Sequence, residues 1–219
     1  MKQCINKAWV LLICLTATVV FAQDNQTASA PAPAKETKDY ISCLAAWDTI
    51  LNTLQTHFTQ QTQYDGLLIS QSQGRIAYMK NGSKLRLDNV EENQITQTAL
   101  TNKKQIYIFD EKGKEISKIS WAEWLAGQPN QALFDFGNYT ALLQKHKVAL
   151  TRQDATQATL RLEPKTQEKN TYTLYITLQQ DNCFPISISV QSDLMTTIAT
   201  LENTQLNQSL EADTFKRLK

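Results

Sequence analysis

From residue 67 to 119, and again from 147 to 203, apolar and polar side chains alternate in short runs set apart by polar, Gly or Asn punctuation. A period of two is the pattern of half-buried antiparallel strands. It predicts strands near 67–71, 74–80, 84–88, 94–100, 105–110 and 114–119, then near 147–153, 157–163, 171–179, 184–191 and 195–203. The clearest run sets Tyr172, Leu174, Ile176 and Leu178 against Thr171, Thr173, Tyr175 and Thr177, and Asp181-Asn182 turns it into the next strand. Ahead of the sheet the period changes. Tyr40, Leu44, Trp47, Leu51, Leu54 and Phe58 recur at steps of four and three, which places them on one stripe of an amphipathic helix. Asp39 is its expected N-cap, and Asp65-Gly66 ends it.

Ser120 and Glu123 form a capping box for a short helix that carries Trp121, Trp124 and Leu125. Gln128-Pro129 breaks it, 132–136 is a compact apolar knot, and Asn138 caps a second short helix with Tyr139, Leu142 and Leu143. The order is one helix, six strands, a helical interruption and five strands. A single curved antiparallel sheet with helices over one side satisfies it, and a sheet that long must curl or close. Lined with Leu, Ile and aromatics and covered by short helices, such a sheet makes a greasy pocket. A fully packed core is the alternative, because periodicity does not separate the two.

The ends add a compartment. Lys2 and Lys7 precede an apolar stretch over 8–21, short for a bilayer span, and Val20-Phe21-Ala22 supplies a cleavage site. Residues 1–22 therefore read as an export signal cut after Ala22, 23–38 as an extended Ala/Pro-rich linker, and 39–219 as one domain. Losing Lys2 and Lys7 takes the 22 basic residues to 20 against 21 acidic ones, a net charge of −1. With no basic stripe, this argues against nucleic acid. Cys4 and Cys14 leave with the signal, so Cys43 and Cys183 remain. In an oxidising compartment they are a disulfide candidate, worth on the order of 4 kcal/mol if the bond closes that long loop. Two separately buried thiols are the alternative, since sequence does not give the distance.

Several segments together resemble one family, the LolA-type periplasmic lipoprotein carriers. Phe58-Thr59-Gln60 is similar to that family's "F-x-Q", and Gln73-Gly74 with Ile76 and Tyr78 to its "G-x-[LI]-x-[VY]" strand. Lys84-Leu85-Arg86-Leu87-Asp88 is similar to "K-F-R-W-D", and the run from Asn102 to Asp110 to "D-G-K-T-L-W-I-Y-D". Leu162-Glu163-Pro164-Lys165, Pro185-Ile186-Ser187-Ile188 and Asn207-Gln208-Ser209-Leu210 follow in the family's order.

The resemblance implies an incomplete β-barrel of about 11 strands, with an N-terminal helix and short lid helices over a hydrophobic cavity. It implies a monomeric periplasmic carrier that moves acylated lipoproteins from an inner-membrane releasing transporter to an outer-membrane acceptor, using no cofactor and no metal. Leu85, Leu87, Tyr107 and Phe109 are the expected lining, and Leu133, Phe134 and Phe136 the lid. Family members carry Arg-Pro where this chain has Lys80-Asn81, which makes Lys80 the candidate lid latch. A sensor of lipid or lipoprotein on the same fold, or a structural periplasmic protein, is the rival reading. An enzyme is not expected: the two histidines, His57 and His146, lie in neither a nucleophile-elbow nor a zinc-ligand context.

Overall fold

The structure is a computed structural model that describes residues 36–126, 135–166 and 172–216. The expected signal, most of the linker, Leu133 and Phe134 lie outside the described residues. Helix α1 (Thr37–Ile50) leads into β1 (Thr53–Tyr64), β2 (Leu67–Met79), β3 (Lys84–Glu91), β4 (Gln94–Thr101), β5 (Gln105–Asp110) and β6 (Glu115–Ser120). Two short helices, α2 (Trp121–Ala126) and α3 (Tyr139–Lys145), then precede β7 (His146–Gln153), β8 (Gln157–Pro164), β9 (Thr173–Gln179), β10 (Pro185–Gln191) and β11 (Met195–Leu206). All eleven strands form one antiparallel sheet, in the order β6-β5-β4-β3-β2-β1-β11-β10-β9-β8-β7. It curls into a barrel that does not close.

The strand count matches expectation, but its members differ. The helical stripe stops at Leu51, and 53–64 is a strand. Leu54 and Phe58 satisfy a helical step of four and a strand step of two equally well, so their spacing does not separate the two. Thr53, Thr56, Thr59 and Thr62 favour the strand, where β-branched side chains keep their χ1 freedom. Asp65-Gly66 is then a two-residue hairpin turn with both residues at positive φ (48° and 77°) rather than a helix end. The two strands expected over 67–71 and 74–80 are a single long β2. Asp39 is not the N-cap of α1. It lies inside the helix, and its Oδ2 accepts the Glu36 backbone N–H at 2.8 Å, completing a capping box from Glu36. Thr37 and Lys38, expected in the linker, belong to the helix.

One face of the sheet, here the inner face, carries the core. Tyr40, Leu44 and Trp47 of α1, with Leu51 just beyond it, bury against Leu160, Leu162, Leu174, Ile176 and Ile188 of β8–β10. The disulfide Cys43–Cys183 (Cα–Cα 5.8 Å) fastens α1 to the β9–β10 turn. There Trp47 Nε1 donates to the Asn182 carbonyl at 3.0 Å, and the Trp47 ring meets Phe184 edge-on at 5.1 Å. Lys80 donates from Nζ to the Asp48 and Thr49 carbonyls, both at 3.0 Å, closing the C-terminal end of α1. Asp48 in turn caps α3 from a distance: its carboxylate accepts the Tyr139 and Thr140 N–H groups at 2.7 and 2.8 Å.

The outer face holds the segment after β11. Arg86 Nε grips both oxygens of Asp88 (2.9 and 2.8 Å), Thr98 Oγ1 donates to the same carboxylate at 2.7 Å, and Arg86 Nη1 reaches the Thr214 and Lys216 carbonyls. The charged half of the Lys84–Asp88 motif therefore anchors the segment after β11. At the opposite end from the helices, the β1–β2 and β10–β11 hairpin tips are tied by Asp65 N–H to the Leu194 carbonyl, 2.7 Å, and leave Leu67, Leu68, Ile69 and Leu194 exposed.

Two outcomes are expected. Replacing both Cys43 and Cys183 with Ala, across a separation of 140 residues, lowers unfolding free energy by about 4–5 kcal/mol in denaturant titrations. Arg86→Ala leaves the Asp88 carboxylate buried without its cation and costs about 3–5 kcal/mol. Hydrogen exchange should then rise selectively over 207–216.

Candidate functional site

The strand registers decide which side chains can line a cavity. Leu85 pairs with Tyr78 and Thr101, Leu87 with Ile76 and Ala99, and Asn89 with Gly74 and Gln97. Thr101 and Ala99 pair onward with Ile106 and Ile108. On the other side Phe58 lies opposite Gly74, and Gln60 opposite Ser72. These residues share the inner face. Leu85 and Leu87, both expected as lining, are therefore buried and turned to the helix side, although of the two only Leu87 is among the described lining of the cavity there. Tyr107 and Phe109 are not. They alternate with Ile106 and Ile108 and so face outward, Tyr107 beside Leu100 under the Lys118 ammonium, Phe109 beside Thr98. Strand parity, set by a neighbour's register, reverses that expectation: Ile106 and Ile108 are the inner pair. Phe109 is nonetheless only 1% exposed, packed in the outer patch with Thr98 and Asp88.

Between β1 and β5 the inner face is not filled. A cavity of about 180 Å³ is lined by Phe58, Leu87, Ala99, Ile108 and Trp124, with Gln60, Ser72, Asn89 and Gln97 toward its open end. Gly74 is what permits its floor. A Cβ there would overlap the Asp88 carbonyl oxygen and lie 2.7 Å from Phe58 Cε1, so only glycine lets β3 and the Phe58 ring close on β2. Trp124 stands over the cavity from α2, stacked on Trp121 with ring centroids 4.9 Å apart.

The cover is held by polar ties to backbone. Phe136, expected in the lid, is fully buried and packs against Tyr78 at 5.8 Å. Lys103, in the β4–β5 turn at φ 59°, donates to Asp135 Oδ1 at 2.9 Å and to the Phe136 carbonyl at 2.6 Å. The latch thus has a second candidate that sequence reading missed, while Lys80 reaches the carbonyls of α1. The signal was present in Asn102-Lys103-Lys104, a turn sequence whose cation had no assigned partner. Burial, with the nearby Asp135 and Asp48 carboxylates, raises the Tyr78 hydroxyl above the ordinary tyrosine range. For Tyr139 burial does the same, with Asp48 and then Asp135 adding to it. Both phenols stay neutral at the edge of the cover.

Neither histidine sits at this cavity. His57 is exposed on the outer face opposite Arg75 and Glu202. His146 is buried at the α3–β7 junction, its Nδ1 2.7 Å from the Leu142 carbonyl and its Nε2 3.4 Å from the Tyr172 hydroxyl. Among the described residues no cluster of His, Cys, Asp and Glu suits a metal ion. No described helix is long and apolar enough to cross a membrane.

The family described as "Outer membrane lipoprotein carrier protein LolA" matches residues 49–218. No curated protein matches in sequence. Solved structures do. MucB has a TM-score of 0.55 at 15% identity, over 82% of this chain and 62% of that one. A DUF1329 family protein from Desulfovibrio piger has a TM-score of 0.50 at 8% identity, over 84% and 98%. A LolA superfamily protein from Nitrosomonas europaea has a TM-score of 0.46 at 10% identity, also over 84% and 98%. At such identities the likeness is one of fold.

The inward parity of β5 has a direct check. Ile108→Trp fills the cavity and should abolish the fluorescence gain of Nile red, an uncharged apolar dye, whereas Tyr107→Trp on the outer face should leave it unchanged.

Proposed function

Because the chain belongs to the LolA family of outer membrane lipoprotein carriers, we propose that it is an exported periplasmic carrier. It shelters the acyl chains of lipoproteins in the inner-face cavity, takes them from an inner-membrane releasing transporter and yields them to an outer-membrane acceptor. The observation that carries this reading is the cavity lined by Phe58, Leu87, Ala99 and Ile108 beneath Trp124, in a sheet whose other half is densely packed. Each methylene taken from water contributes about 0.8 kcal/mol, so even a short length of chain gains substantially by entering.

The mechanism is physical. At about 180 Å³ the cavity is smaller than the roughly 300–1,000 Å³ of typical ligand pockets, so a whole acyl chain requires the cover to move. Lys103 is positioned to govern that motion through Asp135 and Phe136, and Lys80 and Asp48 fix α1 and α3 on either side. Breaking such ties exchanges protein hydrogen bonds for water hydrogen bonds at a net cost of about 1–3 kcal/mol each. Cargo burial exceeds that within a few methylenes. Transfer then needs only an acceptor that binds the chains more tightly.

One observation favours a second reading, a sensor that reports lipid or lipoprotein to a protein partner. It is the likeness to MucB, a protein also solved as a complex with MucA.

The test is lipid uptake. Protein purified from a periplasmic extract should carry acyl species detectable by mass spectrometry. The delipidated protein should bind a diacylated lipopeptide with a change in Trp124 fluorescence that is absent in Trp124→Phe. Leu87→Asp should weaken binding at least tenfold, and Lys103→Met should speed both loading and release. A delipidated protein that takes up no acylated peptide would end the carrier reading.

A further inference from the structure

The cavity has an opening of its own, built by a split in the sheet. The β2–β3 register ends at Gly74↔Asn89, although β2 runs on to Leu67 beside β1 and β3 runs on to Glu91 beside β4. Beyond Gly74 the two strands part. The notch between them has a volume of about 600 Å³ and is lined by Gln71, Ser72, Gln73, Asn89, Thr96 and Gln97, with Glu91 and Glu92 at its lip. Ser72, Asn89 and Gln97 also line the apolar cavity, so the two spaces meet at those three side chains. Gln71 and Gln73 have the parity of the outer face and Ser72 that of the inner, so the notch passes through the sheet from the cavity to the outside.

Its chemistry is one-sided. Among the described residues the lining is rich in carboxamides and hydroxyls with one apolar side chain, Val90; its only charged members are the two glutamates, and none is Lys or Arg. Asn89 Nδ2 donates to Gln97 Oε1 at 3.3 Å, which orients the pair and leaves Asn89 Oδ1 to accept and Gln97 Nε2 to donate. Such a wall suits esters, amides and hydroxyls. It offers no cation to a phosphate or carboxylate, and Glu91 and Glu92 repel both.

We propose that the β2–β3 notch is a head-group port: it seats the uncharged polar part of an amphiphile whose alkyl chain enters beneath Trp124, and it rejects anionic heads. This rests on the carrier reading and narrows it. Chains joined through esters and amides enter, and the anionic phospholipids around them are refused. A carrier that works at membrane surfaces needs that discrimination, because phospholipid outnumbers any cargo there.

The test uses three twelve-carbon probes below their micelle concentrations, followed by Trp124 fluorescence and by calorimetry on the delipidated full-length protein. They are monolauroylglycerol (neutral), dodecyl phosphate (anionic) and dodecyltrimethylammonium (cationic). Monolauroylglycerol should bind at least tenfold more tightly than dodecyl phosphate at neutral pH, and the cation no more weakly than the neutral probe. Combined Glu91→Gln and Glu92→Gln should cut the discrimination against phosphate to threefold or less. Gln71→Leu with Gln73→Leu, at residues that line the notch but not the apolar cavity, should weaken monolauroylglycerol several-fold while leaving Nile red uptake intact, which separates loss of the port from loss of the fold. If all three probes bind alike, or phosphate binds best, the port is refuted while the carrier reading stands. If none binds, both fall.

Discussion

Everything in this molecule hangs on the pairing of its first strand with its last. Among the described residues nine of the ten strand pairings join strands consecutive in sequence, and the tenth, β1 with β11, joins two meanders into one sheet. The seam runs from Leu54↔Leu206 to Tyr64↔Met195 and sets Phe58 beside Leu201. It thereby makes the inner apolar face continuous from β5 to β7. Asn207 locks its end, accepting the Asn52 and Thr53 N–H groups through Oδ1 and donating to the Ile50 carbonyl. Without this pairing each meander would present an uncovered apolar face, and α1, bonded covalently to the β9–β10 turn, would cover only one of them.

The unequal filling of the two halves follows from where that helix sits. α1 brings Tyr40, Leu44 and Trp47 onto the C-terminal strands, which leaves the face of β2–β5 to short helices and side-chain fasteners. Those fasteners share a design. Lys80, Asp48 and Lys103 each grip main-chain carbonyls or N–H groups of another element. Such bonds fix position while covering little apolar surface, so a cover held this way is well placed yet cheap to lift. The disulfided half is the densely packed one, and the unfilled space lies in the other.

Most of the fold was legible in the sequence, because alternation over 84–110 and 172–190 is a direct imprint of a half-buried strand. The first error, a helix extended through Phe58, came from two apolar residues whose spacing fits both periods. The threonines at 53, 56, 59 and 62 lean toward a strand, and pairing with β2 on one side and with β11, more than 130 residues away, on the other resolves it. The second error was parity. Ile106-Tyr107-Ile108-Phe109 is apolar on both faces, so nothing local says which pair turns inward, whereas the polar Arg86 and Asp88 settle it for Leu85 and Leu87. The cation that holds the cover was missed for a similar reason. The turn shows a cation, but its partners, the Asp135 carboxylate and the Phe136 carbonyl, lie more than 30 residues on, and nothing local names them.

The seam also sets an order of events in time. A chain made from its N-terminus produces β1 early and its partner last, so β1 and β2 stand as an open-edged hairpin while nine further strands arrive. An unpaired edge of twelve residues invites association with any other extended segment. From Thr59 to Gln63 the strand reads Thr-Gln-Gln-Thr-Gln, and only Tyr64 at its tip offers a large apolar surface to a wrong partner. Its blandness protects the nascent chain as much as it serves the finished sheet.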